Sequence, residues 1–359
     1  MEKFYLLMSL AGISAKKQLE FVDYCGSSDK AWQSLENIKS FDKFFSQKEI
    51  EKIESIFNSR ELEDFMFGLQ KIGVKWVSIE SKNYSNYLKQ IYDPPTVLYY
   101  KGDISLLNET SLAIVGARVC SRYGASQTKL FSKQLSRAGF VIVSGLAEGI
   151  DSIAQKECVD CGGKTIAVLA GGLNHIYPAI NIKLSEEIVE KGGLLISENP
   201  PSYVPKAFNF VQRNRIIAGL ASGVFVPEAS AKSGSLHTIT FAIDNGRSVF
   251  ALPGPVDSTK SAGTNNLIKQ LQACCVTEAN DIIEQFPNFQ KQQEEKKKAV
   301  QLSLDEEIIL STIGEEEMHF DEISQKTGMN AKDLNSKLTR MEIRGLIIRL
   351  AGNEFAVKH

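Results

Sequence analysis

The stretch LAIVGARVCSRYGASQTKLFSKQLSRAGFVIVSGLAEGID, Leu112 to Asp151, decides the fold. It opens on an unbroken apolar run, Leu112–Val115, and turns at Gly116. It then crosses a helical stretch from Ser126 to Ala138 and returns with a second apolar run, FVIVSG from Phe140, closed by another glycine turn. A strand that is apolar throughout, rather than at alternate residues, belongs in a sheet covered on both faces, and a helix between two such strands makes them parallel. Working outward, TIAVLAGG from Thr165, GLLISE from Gly193, GVFVPEA from Gly223 and SVFALPG from Ser248 repeat the pattern, with helical stretches at Ile180–Lys191 and Leu236–Asn245. Residues 76–286 therefore read as an α/β domain, a Rossmann-like, doubly wound, mostly parallel sheet.

The flanks differ. Residues 1–75 read as short helices, with Leu6, Leu7, Leu10 and Ile13 at helical spacing, forming a small helical domain of the SAM or helix-hairpin-helix kind. Val77–Ile79 and PPTVLYYKGD follow as extended chain, because Pro94 and Pro95 block a helix. Residues 287–303 are polar and aperiodic and read as a linker. Residues 304–359 read as three helices, near 306–313, 321–326 and 332–344, followed by two strand-like runs around Gly352, which is a C-terminal winged helix. Lys332, Lys337, Arg340 and Arg344 form a basic stripe on the last helix that reads as a solvated face or as a DNA contact.

The net charge is -2 over 359 residues, so a polyanion would have to be held by a local patch rather than by the whole molecule. The apolar runs are of strand length, and MEKFYLLMSLAGIS reads as a first helix, so neither a membrane span nor a signal peptide is expected. Cys158 and Cys161 have C-x-x-C spacing but no second pair or histidine cluster. Reduced thiols, a cytoplasmic location and no metal site are the expectation.

One segment departs from ordinary composition. PKAFNFVQRNRIIAGLASG, Pro205 to Gly223, lies in a stretch without Asp or Glu from Asn199 to Pro227, yet it carries Lys206, Arg213 and Arg215, with Phe208 and Phe210 between them. Unopposed cations beside aromatic rings suit a polyanion that presents flat bases, which is single-stranded nucleic acid. Phe208 and Phe210 fall on one side if the segment is extended, and singly each reads as core. Arg213 and Arg215 either extend the positive track or brace the loop through carbonyls.

Four strands end in glycine turns: VGAR (Val115–Arg118), SGLAEGID (Ser144–Asp151), AGGLN (Ala170–Asn174) and, after the strand at Val224, SGS (Ser233–Ser235). Ligands of open α/β sheets bind beyond the carboxyl ends of the strands, where glycine exposes backbone N–H groups and helix N-termini favour anions. Singly, each turn also serves as a plain connector. None is a clean G-x-G-x-x-G or G-x-x-x-x-G-K-[ST], so no nucleotide cofactor is expected. No nucleophile–base set assembles, and Glu148, Asp151 and Glu228 are isolated acids. No catalytic residue is expected.

The ordered series GARVCSRYG, SGLAEGIDSIAQ, TIAVLAGGLNHIYPAIN, LLISENPP, QRNRIIAGLASGVFVPEASAKSGSLHT, GRSVFALPGPVDS and AGTNNLIKQ resembles the DNA-processing protein DprA (Smf) family from about residue 110 to 272, and the three-part layout fits as well. The resemblance implies a homodimeric recombination mediator of natural transformation. Such a protein binds and protects single-stranded DNA and loads RecA recombinase past single-strand-binding protein. On these residues the expected DNA contacts are Gly116, Arg118, Ser144, Gly145, Lys206, Phe210, Arg213, Asn214, Arg215, Ser233, Gly234 and Ser235. Gln155 stands where the family commonly has a histidine, and His237 where an apolar residue is common. An enzyme alternative is a nucleotide-processing Rossmann protein of the lysine-decarboxylase-like phosphoribohydrolase type. Its PGGxGTxxE pattern has no counterpart in AKSGSLHTITFA, where no Glu follows the glycine.

Overall fold

The computed structural model describes residues 2–287, 289, 303–314, 317–343, 346–350 and 352–357. It divides into two compact units, 1–287 and 288–359. Nearly all of the linker expected at 287–303 lies outside the described residues.

The first unit is built on a nine-stranded sheet. Its strands are β1 (Lys75–Ser78), β2 (Val97–Gly102), β3 (Ser111–Ile114), β4 (Val141–Ser144), β5 (Thr165–Val168), β6 (Leu194–Ser197), β7 (Gly223–Val226), β8 (Ser248–Ala251) and β9 (Cys274–Cys275). The spatial order is β1-β2-β6-β5-β4-β3-β7-β8-β9. From β6 to β9 all neighbours are parallel, while β1 and β2 add an antiparallel edge. Every residue of β3 to β7 is buried, the state predicted from their unbroken apolar runs.

The helix after β3 shows how local signals set the boundaries. It runs Arg122–Ala138, four residues longer at its start than periodicity suggests. The Ser121 hydroxyl accepts the Gly124 N–H at its N-terminus, and Gly139 closes it in the left-handed conformation at φ 104°. Strand β3 then sits between β4 and β7: the chain fills one side of the sheet up to β6, crosses over, and fills the other side from β7. That reversal leaves a crevice at the carboxyl ends of β3 and β7.

The crossover itself is the helix Ala207–Leu220. The alternation of Phe208 and Phe210 pointed to a common side only for extended chain. In the helix they diverge, Phe208 53% exposed and Phe210 half-buried. The Asn209 side chain accepts the Lys206 N–H at 2.8 Å and starts the helix there.

The helices of residues 1–75 do not form a separate core. Phe4, Phe21, Phe45 and Ile53 belong to one apolar cluster with Tyr99 of β2, Ala167 of β5, Leu195 of β6 and Ile188 of the helix Ile182–Glu190. The helical region covers one face of the sheet.

The second unit holds helices Leu304–Ile313, Phe320–Thr327 and Ala331–Ile343 with a three-stranded antiparallel sheet of Met318–His319, Ile347–Arg349 and Glu354–Val357. Ile309, Ile323, Leu334, Leu338, Met341 and Phe355 fill its core. This is the winged helix, with one more short strand than the sequence suggests. Of its basic stripe, Lys337 is ion-paired to Asp305, and Arg344 lies outside the described residues.

Candidate nucleic-acid interface

The crevice between β3 and β7 is an open cleft of about 460 Å³. One wall is the turn after β3, residues 115–119, and the opposite wall is the turn after β7, with Ser233, Gly234 and Ser235 leading into the helix Leu236–Asp244. The floor is the face of the crossover helix that carries Phe210, Arg213, Asn214 and Ile217. Among the described residues, the N–H groups of Gly116, Arg118 and Gly234 have no acceptor in the chain. Those bare amides, with the helix start behind Gly234, suit an anion.

The cations fall into two classes. Arg118 and Lys206 are exposed and, among the described residues, make no ion pair. Arg118 places its guanidinium 5.9 Å from the centroid of the Phe210 ring. Phe210 meets the Tyr177 ring edge-on at 5.3 Å and 67°. This is an aromatic surface beside a fixed charge.

Arg213 and Arg215 do not continue that track. Arg213 is 5% exposed, and its Nη1 donates to the carbonyls of Gly145 and Val168. Burial lowers its pKa to about 10, so it stays charged near neutrality. Burial also raises the Asp151 carboxyl against the pull of Arg213 and of the Gly145 N–H. Both groups lose hydration and answer each other. Arg215 lies on another face of the helix, with its Nε 3.2 Å from Asp93 and its Nη2 2.6 Å from Glu198. The bracing role foreseen as an alternative therefore describes Arg213. Arg215 answers carboxylates from outside the acid-free window.

Ser144 and Gly145 also stand apart from the rim. Ser144 is fully buried and donates to the Ile114 carbonyl at 2.7 Å. The Gly145 N–H donates to Asp151 at 3.1 Å, so neither residue presents a free donor to the cleft. Gly149 has φ +79°, and a Cβ there would come within 2.3 Å of the Ala117 carbonyl, which fixes the SGLAEG turn against the turn after β3.

The cleft thus gathers Gly116, Arg118, Phe210, Asn214, Ser233, Gly234 and Ser235 around one space, with Lys206 at the start of the crossover helix. Sequence reasoning missed two neighbours. Lys260, from the loop after β8, lines the cleft without an ion partner among the described residues. Tyr177 stands in HIYPAIN, a block quoted above without a role for its ring.

Of the three acids near the cleft, Asp151 and Glu228 are engaged structurally. Glu228 is 2% exposed and accepts the Ser121 N–H at 2.8 Å and the Ser121 hydroxyl. Gln155, at the family's usual histidine position, is buried. It accepts the Leu146 N–H at 3.2 Å and donates to Thr165 Oγ1 and the Ile166 carbonyl. It ties a turn to β5. Among the described residues no group of His, Cys, Asp and Glu could hold a metal, and no helix is long and apolar enough to cross a membrane. All six cysteines are free.

The family model for DNA recombination-mediator protein A matches residues 75–287, and that for the DprA winged helix domain matches residues 293–353. Protein Smf of Escherichia coli (strain K12) is 36% identical over 303 residues, 82% of this chain and 81% of that protein. The X-ray structure of DNA processing protein A from Streptococcus pneumoniae superposes with a TM-score of 0.70 at 36% identity, covering 79% of this chain and 97% of that one. DNA processing protein A from Helicobacter pylori, whose structure is described for a unique single-stranded DNA binding mode, gives a TM-score of 0.54 at 32% identity over 59% of this chain and 95% of that one. On its sheet order, its crossover helix and these matches, the chain belongs to the DNA-processing protein DprA (Smf) family.

Proposed function

We propose that this chain holds single-stranded DNA in the cleft between β3 and β7. The observation that carries the reading is the pairing of two unopposed cations that line the cleft, Arg118 and Lys260, with the Phe210–Tyr177 ring surface and bare backbone amides, while Lys206 stands exposed at the start of the crossover helix. The cations and the amides take phosphates whatever the sequence, and the rings take bases by stacking, which contributes about 1–3 kcal/mol per base. The strand-binding description of the Helicobacter pylori relative supports the same reading. No chemistry on the strand is required of these residues, because Asp151 and Glu228 are each tied to structural donors. The protein is then a recombination mediator rather than an enzyme. It works in the cytoplasm as a homodimer, covers incoming strands during natural transformation, and hands them to RecA in competition with single-strand-binding protein.

The experiment is fluorescence anisotropy of the full chain with a labelled oligothymidine and with a matched duplex, across a salt series, with mass measured in solution. Tight, salt-sensitive binding of the single strand is expected, with weaker binding of the duplex. Equal or tighter duplex binding would overturn the reading. Release of free base from nucleoside monophosphates would favour the phosphoribohydrolase alternative. RecA filament formation on strands pre-coated with single-strand-binding protein, with and without this chain, tests the mediator step.

A further inference from the structure

Beside the main cleft lies a second, smaller cavity of about 90 Å³, bounded by Arg118, Glu148, Tyr177, Pro178 and Phe210. At roughly 15 Å³ per water it has room for about six waters, the scale of one base edge rather than of a nucleotide. We propose that this cavity takes one base of the bound strand and that Glu148 makes that base a guanine. The inference rests on the strand-binding reading above and adds to it a base preference.

The walls supply what a base needs. Tyr177 is 58% exposed and stands edge-on to Phe210, whose ring also lies under Arg118, so Tyr177 is the ring that offers exposed surface to a flat partner. Glu148 is an exposed carboxylate on the lip of the same cavity. Arg118 lines the cavity too, yet among the described residues no ion pair joins the two, so Glu148 is not held as a countercharge. A free carboxylate beside a phosphate track is repelled by the strand unless it receives hydrogen bonds from it.

That requirement selects among the bases. An ionised carboxylate only accepts. Thymine presents one imino N–H between two carbonyl oxygens that repel the carboxylate. Adenine and cytosine each present one amino group next to a ring acceptor. Guanine alone places two donors, N1–H and N2–H, side by side, spaced for the two oxygens of one carboxylate. Glu148 is set at the tip of the turn after β4, between Ala147 and Gly149, and reaches the cavity without disturbing the buried Asp151–Arg213 pair.

The test uses the full chain in competition anisotropy. Labelled dT15 is displaced by unlabelled dT15 or by 15-mers carrying three separated dG, dC or dA residues in a dT background. The expected result is that the dG oligomer competes about fivefold better than dT15, the low end for a bidentate base contact. In Glu148→Gln that preference should collapse to about unity, and dT15 should bind slightly more tightly because a negative charge beside the strand is lost. Equal competition by all four oligomers would overturn the guanine preference and leave strand binding standing. So would preference for dA or dC. A dG preference that survives Glu148→Gln would overturn the assignment to Glu148. Failure to bind any oligomer would sink this inference together with the reading beneath it. Because Glu148 is exposed, an unchanged thermal midpoint verifies that the variant is folded.

Discussion

The guanidinium of Arg213 lies against the peptide of Gly145, and its Nη1 donates to the Gly145 carbonyl at 2.6 Å. The N–H of the same glycine donates to Asp151 at 3.1 Å. One peptide thus bridges a buried cation and a buried anion, and the turn after β4 is fixed to the crossover helix that carries Phe210. A Cβ on Gly145 would stand 2.5 Å from the guanidinium, so only glycine admits this approach.

Removing Arg213 should therefore cost stability before it costs binding. Arg213→Met removes its hydrogen bonds to the Gly145 and Val168 carbonyls and the nearby cation that favours the charged form of the buried Asp151 carboxyl, a loss of about 1–3 kcal/mol. Adding Asp151→Asn to it should recover part of that loss, because the carboxyl left without that cation goes. Urea unfolding of the two single variants and the double variant reads the coupling. Additive losses would mean that the pair does not act as a unit.

The salt dependence of strand binding counts the cations that meet phosphate. With Arg118, Lys206 and Lys260 each neutralising one, log affinity should fall against log salt with a slope of roughly -2, at about -0.7 per phosphate on a single strand. Each single alanine variant should weaken binding and flatten the slope by about 0.7. Arg215→Ala should leave the slope unchanged, since Arg215 is held by Asp93 and Glu198. A slope that moves with Arg215 and not with Lys260 would reverse the two assignments.

Those two residues also show what could be read from the chain and what could not. The sheet was legible, because strands buried on both faces must be apolar at every residue and glycine must follow them where a helix turns back. The cationic segment was legible as a segment, but its charges were not separately legible. Arg215 looks unopposed because acids are absent from Asn199 to Pro227, yet one partner, Glu198, is the residue just before that window and the other, Asp93, is supplied by a distant loop. Lys260 looks ordinary in DSTKSAG and gains its place only because β8 pairs with β7 and delivers the following loop to the cleft. Phe208 was paired with Phe210 by a two-residue spacing that has meaning only in extended chain, and the Asn209 cap turns that chain into helix.

Acid should loosen the helical region through Glu49. Hydrogen bonds from Lys17, at 2.9 Å to each carboxylate oxygen, and from the Ser46 N–H lower its pKa from 4.5 to about 2. The folded value lies below the unfolded one, so the stabilisation is complete above about pH 4.5 and is lost as pH falls toward 2. The pair is partly exposed, and screening holds its contribution to about 1 kcal/mol or less. Glu49→Gln should therefore be less stable at pH 7 and converge with the parent near pH 2 in thermal unfolding. A gap that is the same at both pH values would place the effect outside the titration of Glu49.

Phe210 should act on affinity without acting on charge. Phe210→Ala removes a ring that contacts Tyr177 and lies under Arg118, so strand affinity should fall by about 1–3 kcal/mol while the salt slope stays where it was. Phe210→Tyr should keep most of the affinity, because a phenol ring stacks equally well. Phe208→Ala gives the contrast: Phe208 is 53% exposed and does not line the cleft, so its loss should leave binding near the parent value. Anisotropy at two salt concentrations separates the cases. A change in slope for Phe210→Ala would mean that the ring positions Arg118 rather than a base, because only the loss of a phosphate contact alters the number of ions released.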